Sequence, residues 1–184
     1  MTKLLYREEE SIPAEAYEQG LVEGPSDKTR FLACRSPRWA AFYAKVVDRQ
    51  PRKDTRTAAC QDPMWALFYA EKVDKVSHPE TLKSALQSPR GAVGYAYLIE
   101  RCPRVETREK ACEDSSMAYS YALLVDKAPK PETQKAALKE PEFAYRYCRY
   151  VVKLPLREAW KEVQRNKTIA EKYKKWSQRV SAKT

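Results

Sequence analysis

Apolar and polar residues follow one another along this chain with two superimposed periods, one of a helical turn and one of 26 residues. Take Thr29, Thr55, Thr81, Thr107 and Thr133 as position 1 of successive copies; position 5 is then always Ala, from Ala33 to Ala137. Position 12 is also always Ala (Ala40, Ala66, Ala92, Ala118, Ala144), and position 15 is always Tyr (Tyr43, Tyr69, Tyr95, Tyr121, Tyr147). Position 16 is Ala44, Ala70, Ala96, Ala122 or Cys148, and position 19 is Val47, Val73, Ile99, Val125 or Val151. Positions 12, 15, 16 and 19 have the i, i+3, i+4, i+7 spacing that lines up as one apolar stripe on a helix turning about 100° per residue. Five copies run without an insertion or deletion, a highly specific mark of a repeat architecture.

The polar positions set the ends of the helices. Position 8 is Ser36, Asp62, Ser88, Asp114 or Glu140 and position 9 is Pro in four copies of five, an N-cap followed by a first-turn proline. Position 21 is always basic (Arg49, Lys75, Arg101, Lys127, Lys153), which suits the negative end of a helix dipole, and Pro51, Pro103, Pro129 and Pro155 follow it. A helix B is therefore expected from position 9 to 20. A shorter helix A is expected over segments such as DTRTAAC, ETLKSAL and ETQKAAL. Neither is long enough to persist alone, since isolated helices below about 12–15 residues are marginal in water. The expected fold is all-α: a right-handed α-solenoid of two-helix repeats occupying 29–158, in one domain. The frame continues, faded and more charged, at Ala14/Tyr17 and at Ala170/Tyr173, so 1–28 and 159–184 read as N- and C-terminal caps.

Motifs such as ALFYAEKV, AVGYAYLI, AYSYALLV and AYRYCRYV resemble the short-repeat α-solenoids, relatives of HEAT-type arrays and of the leucine-rich-repeat variant family. They are also similar to A-x-x-Y-A helical repeats of uncharacterised phage and bacterial proteins. The variant family has slightly shorter, Leu-rich repeats and, in some members, a cysteine cluster that this chain lacks. The resemblance covers about 29–158 and implies an interaction scaffold; it carries over no functional residue.

Composition narrows the function classes. No run approaches the roughly 18 apolar residues of a membrane helix, and the first residues, MTKLLYREEE, lack a signal peptide's apolar stretch. Five cysteines without a CxxC pair argue against a disulfide framework or a zinc site, and the expectation is a cytoplasmic protein with reduced thiols. Cys34, Cys60 and Cys112 share position 6, where packing is the simple reading, although stacking would bring Cys34 near Cys60. The single histidine, His78, sits in the linker SHPET at an expected helix start. With no phosphate loop, nucleophile elbow or zinc-protease motif, the reading is non-enzymatic, with no cofactor and no metal. Arg at position 2 (Arg30, Arg56, Arg108) coincides with Asp at position 20 (Asp48, Asp74, Asp126), which predicts a recurring exposed ion pair of about 0.2–1 kcal/mol.

Function is sought where the copies differ, because what all five share is needed for folding. Trp39 and Phe42, then Trp65 and Phe68, occupy positions 11 and 14 of the first two copies, and position 14 lies about 200° from position 12, nearly opposite the core stripe. The third copy has Gly91 and Gly94 there. An aromatic patch beside a notch would suit a protein partner. The net charge of +10 is uneven: residues 1–28 hold seven acids against three bases, and 159–184 hold eight bases against two acids. The position-21 ladder, together with Arg165, Lys167, Lys172, Lys174, Lys175, Trp176 and Arg179, supports a nucleic-acid-binding alternative. Oppositely charged ends also allow head-to-tail self-association.

Overall fold

The computed structural model describes residues 8–182, and among these there is no strand. Residues 1–7 of the N-terminal cap and 183–184 of the C-terminal cap lie outside the described residues. The chain is an all-α solenoid whose helices group into two compact units dividing after Gln87, between the A and B helices of the third copy. The first unit contains α1 (Glu8–Glu23), α2 (Asp27–Ala33), α3 (Pro37–Phe42), α4 (Lys53–Ala59), α5 (Pro63–Tyr69) and α6 (Pro79–Ala85). The second contains α7 (Pro89–Tyr95), α8 (Val105–Ala111), α9 (Ser115–Tyr121), α10 (Pro131–Ala137), α11 (Pro141–Tyr147), α12 (Arg157–Val163) and α13 (Lys167–Ser181). Each B helix starts at the expected residue. No described helix is long and apolar enough to cross a membrane.

The grid residues form the core. Every Ala at positions 5 and 12 and every Tyr at position 15 is fully buried, and Cys148 fills the position-16 Ala slot without becoming exposed. Small residues at 5, 12 and 16 let adjacent rods approach closely, while the Tyr rings fill the space that approach leaves. A buried hydroxyl must be paired, and the position-1 Thr explains how. Thr29 and Tyr43 hydroxyls are 2.6 Å apart, Thr55 and Tyr69 2.9 Å, Thr107 and Tyr121 2.8 Å, and Thr133 and Tyr147 3.1 Å. The Tyr hydroxyl also accepts from the backbone N–H of the helix-A N-cap, at Ser26, Arg52, Arg104 and Lys130. In the C-terminal cap Tyr173 repeats this on Leu156 (2.7 Å) although position 1 there is Ala159. In these four copies the Thr–Tyr pair thus pins helix B to the start of helix A.

Two features of the B rods differ from a plain α-helix. The last turn is a π-helix in all five copies (43–48, 70–74, 96–100, 122–126 and 148–152), with Lys75 N–H donating to the Ala70 carbonyl five residues back at 2.8 Å. Each π-turn ends on the position-21 basic residue in the left-handed conformation, with φ from 54° to 63°. That conformation crowds Cβ and disfavours side-chain-bearing residues, yet Arg or Lys stands there every time. Caps are mixed. Asp62, Ser88, Asp114 and Asn166 accept from backbone N–H groups one turn on, and His78 caps α6 by accepting from Glu80 N–H, whereas Ser36 and Glu140 make no side-chain cap bond.

The N-terminal cap depends on a close approach. Gly20 in α1 faces the Tyr43 ring, and a Cβ there would meet it at 2.8 Å. Gly24 then ends the helix at φ 89°, where glycine alone is unstrained.

Candidate functional site

The position-2/position-20 ion pairs form, but they are withdrawn from the surface rather than exposed: the carboxylates are buried, Arg30 is buried, and Arg56 and Arg108 are partly buried. Arg30 Nη2 donates to Asp48 Oδ1 at 2.7 Å with the two side chains 5% and 0% exposed; Arg56–Asp74 and Arg108–Asp126 repeat the geometry at 2.6 Å. Nε of each Arg also donates to the same carboxylate, making the fork bidentate. Each guanidinium lies over the copy's own Tyr ring, at 5.7–5.9 Å. The carboxylate bonds push the three arginine pKa values further up, against desolvation. In the third copy, where position 2 is Leu82, Glu100 is instead bound by Arg104 at 3.0 Å. The fifth copy has neither partner: Gln134 and Val152 replace them.

This arrangement changes the meaning of the basic ladder. The acids that stand next to it in sequence turn inward and are neutralised by other arginines. Lys75, Arg101, Lys127 and Lys153 are exposed and make no ion pair among the described residues, so their charge is uncompensated. The π-turn with its left-handed terminal residue is the device that separates them, aiming position 20 in and position 21 out.

Beside the ladder the two units diverge. Positions 17 and 18 are Lys45/Val46 and Glu71/Lys72 in the first unit, where Glu71 and Lys72 pair at 2.6 Å. In the second they are Tyr97/Leu98, Leu123/Leu124 and Arg149/Tyr150. The five apolar side chains of that set are 36–47% exposed. Within the second unit successive π-turns lie side by side, and those at 96–100 and 122–126 flank a groove of about 430 Å³ lined by Ala96, Tyr97, Leu98, Arg101, Leu124, Val125 and Lys127. Arg149 covers Tyr150 and donates to the Tyr145 hydroxyl at 2.6 Å. Sequence reading missed this site. Its signal was available, since positions 17 and 18 change from charged to apolar between copies two and three.

The residues singled out from sequence have other settings. Trp39 is withdrawn from the surface: it is 5% exposed and packs on Tyr17 of α1 at 5.2 Å, because the N-terminal cap needs an apolar surface to close on. Phe42, Trp65 and Phe68 are half-buried and stack edge-on at 5.4–5.6 Å. Arg38 covers Trp39 and Phe42, and Lys45 covers Phe68. The four rings do come together, as a mutually packed stack partly roofed by cations. Gly91 is buried and donates to Ser88 Oγ at 2.9 Å, Gly94 is half-buried, and neither lines the groove. In the C-terminal cap Lys167, Lys172, Lys174, Lys175 and Arg179 are exposed along α13, and Arg165 pairs with Glu162. Trp176 is committed to the fold, edge-on to Tyr173 at 5.5 Å and Tyr145 at 6.2 Å.

The cysteines are free, and those on the grid are poor nucleophiles. Burial pushes the Cys34 and Cys60 thiols up to about 12, and moves Cys112 and Cys148 in the same direction. Among the described residues no group of His, Cys, Asp and Glu is placed to hold a metal ion. No family model matches the chain, and neither does any curated protein or solved structure.

Proposed function

We propose that this chain is a non-enzymatic binding scaffold that engages a protein partner through the π-turn face of its second unit. One observation carries the reading: Tyr97, Leu98, Leu123, Leu124 and Tyr150 are exposed at positions where the first two copies carry mainly charged residues, so the fold does not require them. Clustered exposed apolar side chains rimmed by charge mark interaction surfaces. The half-buried aromatic stack of the first unit and the exposed lysines of α13 are secondary contact regions. The short-repeat and HEAT-like arrays that the motif resembles are themselves interaction scaffolds, and five reduced thiols suit a cytoplasmic setting. The test is affinity purification from the host cell with the wild-type chain and with Leu98→Ser/Leu124→Ser. Partners captured by the wild type alone support the reading; an unchanged set of partners contradicts it.

A second reading, nucleic-acid binding, is favoured by the ladder's lack of acidic partners and by the exposed basic face of α13. With about five phosphate contacts, log K against log salt would fall with a slope of ~−4.5. No binding to DNA or RNA at low salt removes it.

A further inference from the structure

We infer that the groove between the π-turns 96–100 and 122–126 takes a linear acidic segment of a partner protein. Aliphatic side chains of that segment would lie against Leu98 and Leu124, and its carboxylates on Arg101 and Lys127. The inference rests on the binding-scaffold reading and names the chemistry of the occupant.

Charge complementarity decides the sign. The groove lining contains two basic residues and no acid, and the acids closest in sequence, Glu100 and Asp126, are already bound by Arg104 and Arg108 with side chains 1% and 0% exposed. An incoming carboxylate therefore meets cations without displacing an internal partner. Their positions are also fixed. Arg101 and Lys127 sit on left-handed residues that close the π-turns, at φ 54° in both, so their Cα–Cβ directions are set by backbone that the buried acids hold in place. The helix dipole accounts for a basic residue at this position in every copy, and the groove brings two of these cations beside an apolar pair, Leu98 and Leu124, that the first two copies lack.

Shape decides the class of occupant. The walls are mainly aliphatic, from Leu98, Leu124 and Val125, with one aromatic residue, Tyr97, and the volume of about 430 Å³ lies near the lower end for ligand pockets. That accommodates inserted side chains rather than a folded domain. A single strand stacks successive bases on several aromatic faces, and this lining supplies one, Tyr97. An anionic membrane needs protruding apolar groups, whereas these enclose a recess.

The test is fluorescence anisotropy on the full chain with a short fluorescein-labelled peptide alternating leucine with glutamate. Two control peptides replace leucine by serine or glutamate by glutamine. Arg101→Gly/Lys127→Gly removes both cations while relieving backbone strain, so it should bind about tenfold more weakly without a lower melting temperature. Leu98→Ser/Leu124→Ser should weaken binding by a similar factor. Both control peptides should also bind about tenfold more weakly than the parent. Equal binding of the serine peptide, unchanged binding by either variant, or tighter binding of oligothymidine or phosphatidylserine vesicles would each overturn the inference. A peptide that fails while captured partners still depend on Leu98 and Leu124 leaves the scaffold reading standing and sinks only the acidic occupant.

Discussion

At the scale of single residues, the main finding is that each copy consumes its own polar groups. In copies one, two and four the position-1 hydroxyl, the Tyr hydroxyl and the N-cap backbone satisfy one another, and position 2 satisfies position 20. Burial makes the ion pair costly to break on one side, since a lone buried charge is left behind. Asp126→Ala should therefore lose about 3–5 kcal/mol in urea unfolding. Arg108→Leu/Asp126→Leu should lose far less, because copies three and five already do without the pair. A single mutant costing under about 1 kcal/mol would show that water reaches the pair. Thiols give a second check. Burial holds the Cys34 and Cys60 thiols protonated in the folded chain, their pKa pushed up to about 12, while unfolded cysteine loses its proton near its ordinary value of 9.0. Their contribution is thus fully present below about pH 9 and is lost as pH rises from 9 toward 12. At pH 8 the buried thiols stay protonated, so maleimide should label exposed Cys102 well before Cys34 or Cys60, as peptide mapping would show.

At the scale of elements, the bounds of both helices and the core stripe were legible from the repeat grid. The character of the last turn was not. Basic residues near a helix end are expected for electrostatic reasons alone, and neither Lys nor Arg signals a left-handed φ as Gly would. For the same reason the ion pair looked exposed: a plain α-helical last turn offers no cause to turn position 20 inward. The four aromatic residues of positions 11 and 14 pack on one another, but Trp39 has a closer use under α1, which position 11 alone does not reveal. Positions 17 and 18 carry a readable signal, the switch from Glu71/Lys72 to Tyr97/Leu98. The left-handed turn yields its own prediction. Lys127→Gly should gain about 0.5 kcal/mol, the relief of φ strain less the added freedom of the unfolded chain. Lys127→Val should lose more than about 1 kcal/mol, since a β-branched residue at positive φ is a true outlier. Thermal melts of the two variants should move in opposite directions; equal shifts would argue against a strained left-handed turn.

At the scale of the whole molecule, the account separates what the repeat needs from what it carries. Stacked repeats depend on their immediate neighbours, so removing one full period should preserve the frame. Deleting 107–132 should give a helical, cooperatively melting protein of lower stability, whereas deleting 107–119 alone should break the Thr–Tyr register and lose the cooperative melt. The full-period deletion also removes Leu124 and Lys127, so it should fold without binding. Charge belongs to this scale as well. The three Arg–Asp pairs each withdraw one acid and one arginine from the surface, so the net +10 is left undiminished on the remaining groups.

The central claim is that the surface left over by folding, on the π-turns of the second unit, is where a partner binds. Amide hydrogen exchange of the full chain, with and without the acidic leucine peptide, tests it most directly. The account predicts added protection concentrated at 96–101 and 122–127. Protection confined to the aromatic stack at 39–68 or to α13 at 167–181, with the π-turns unchanged, would contradict it.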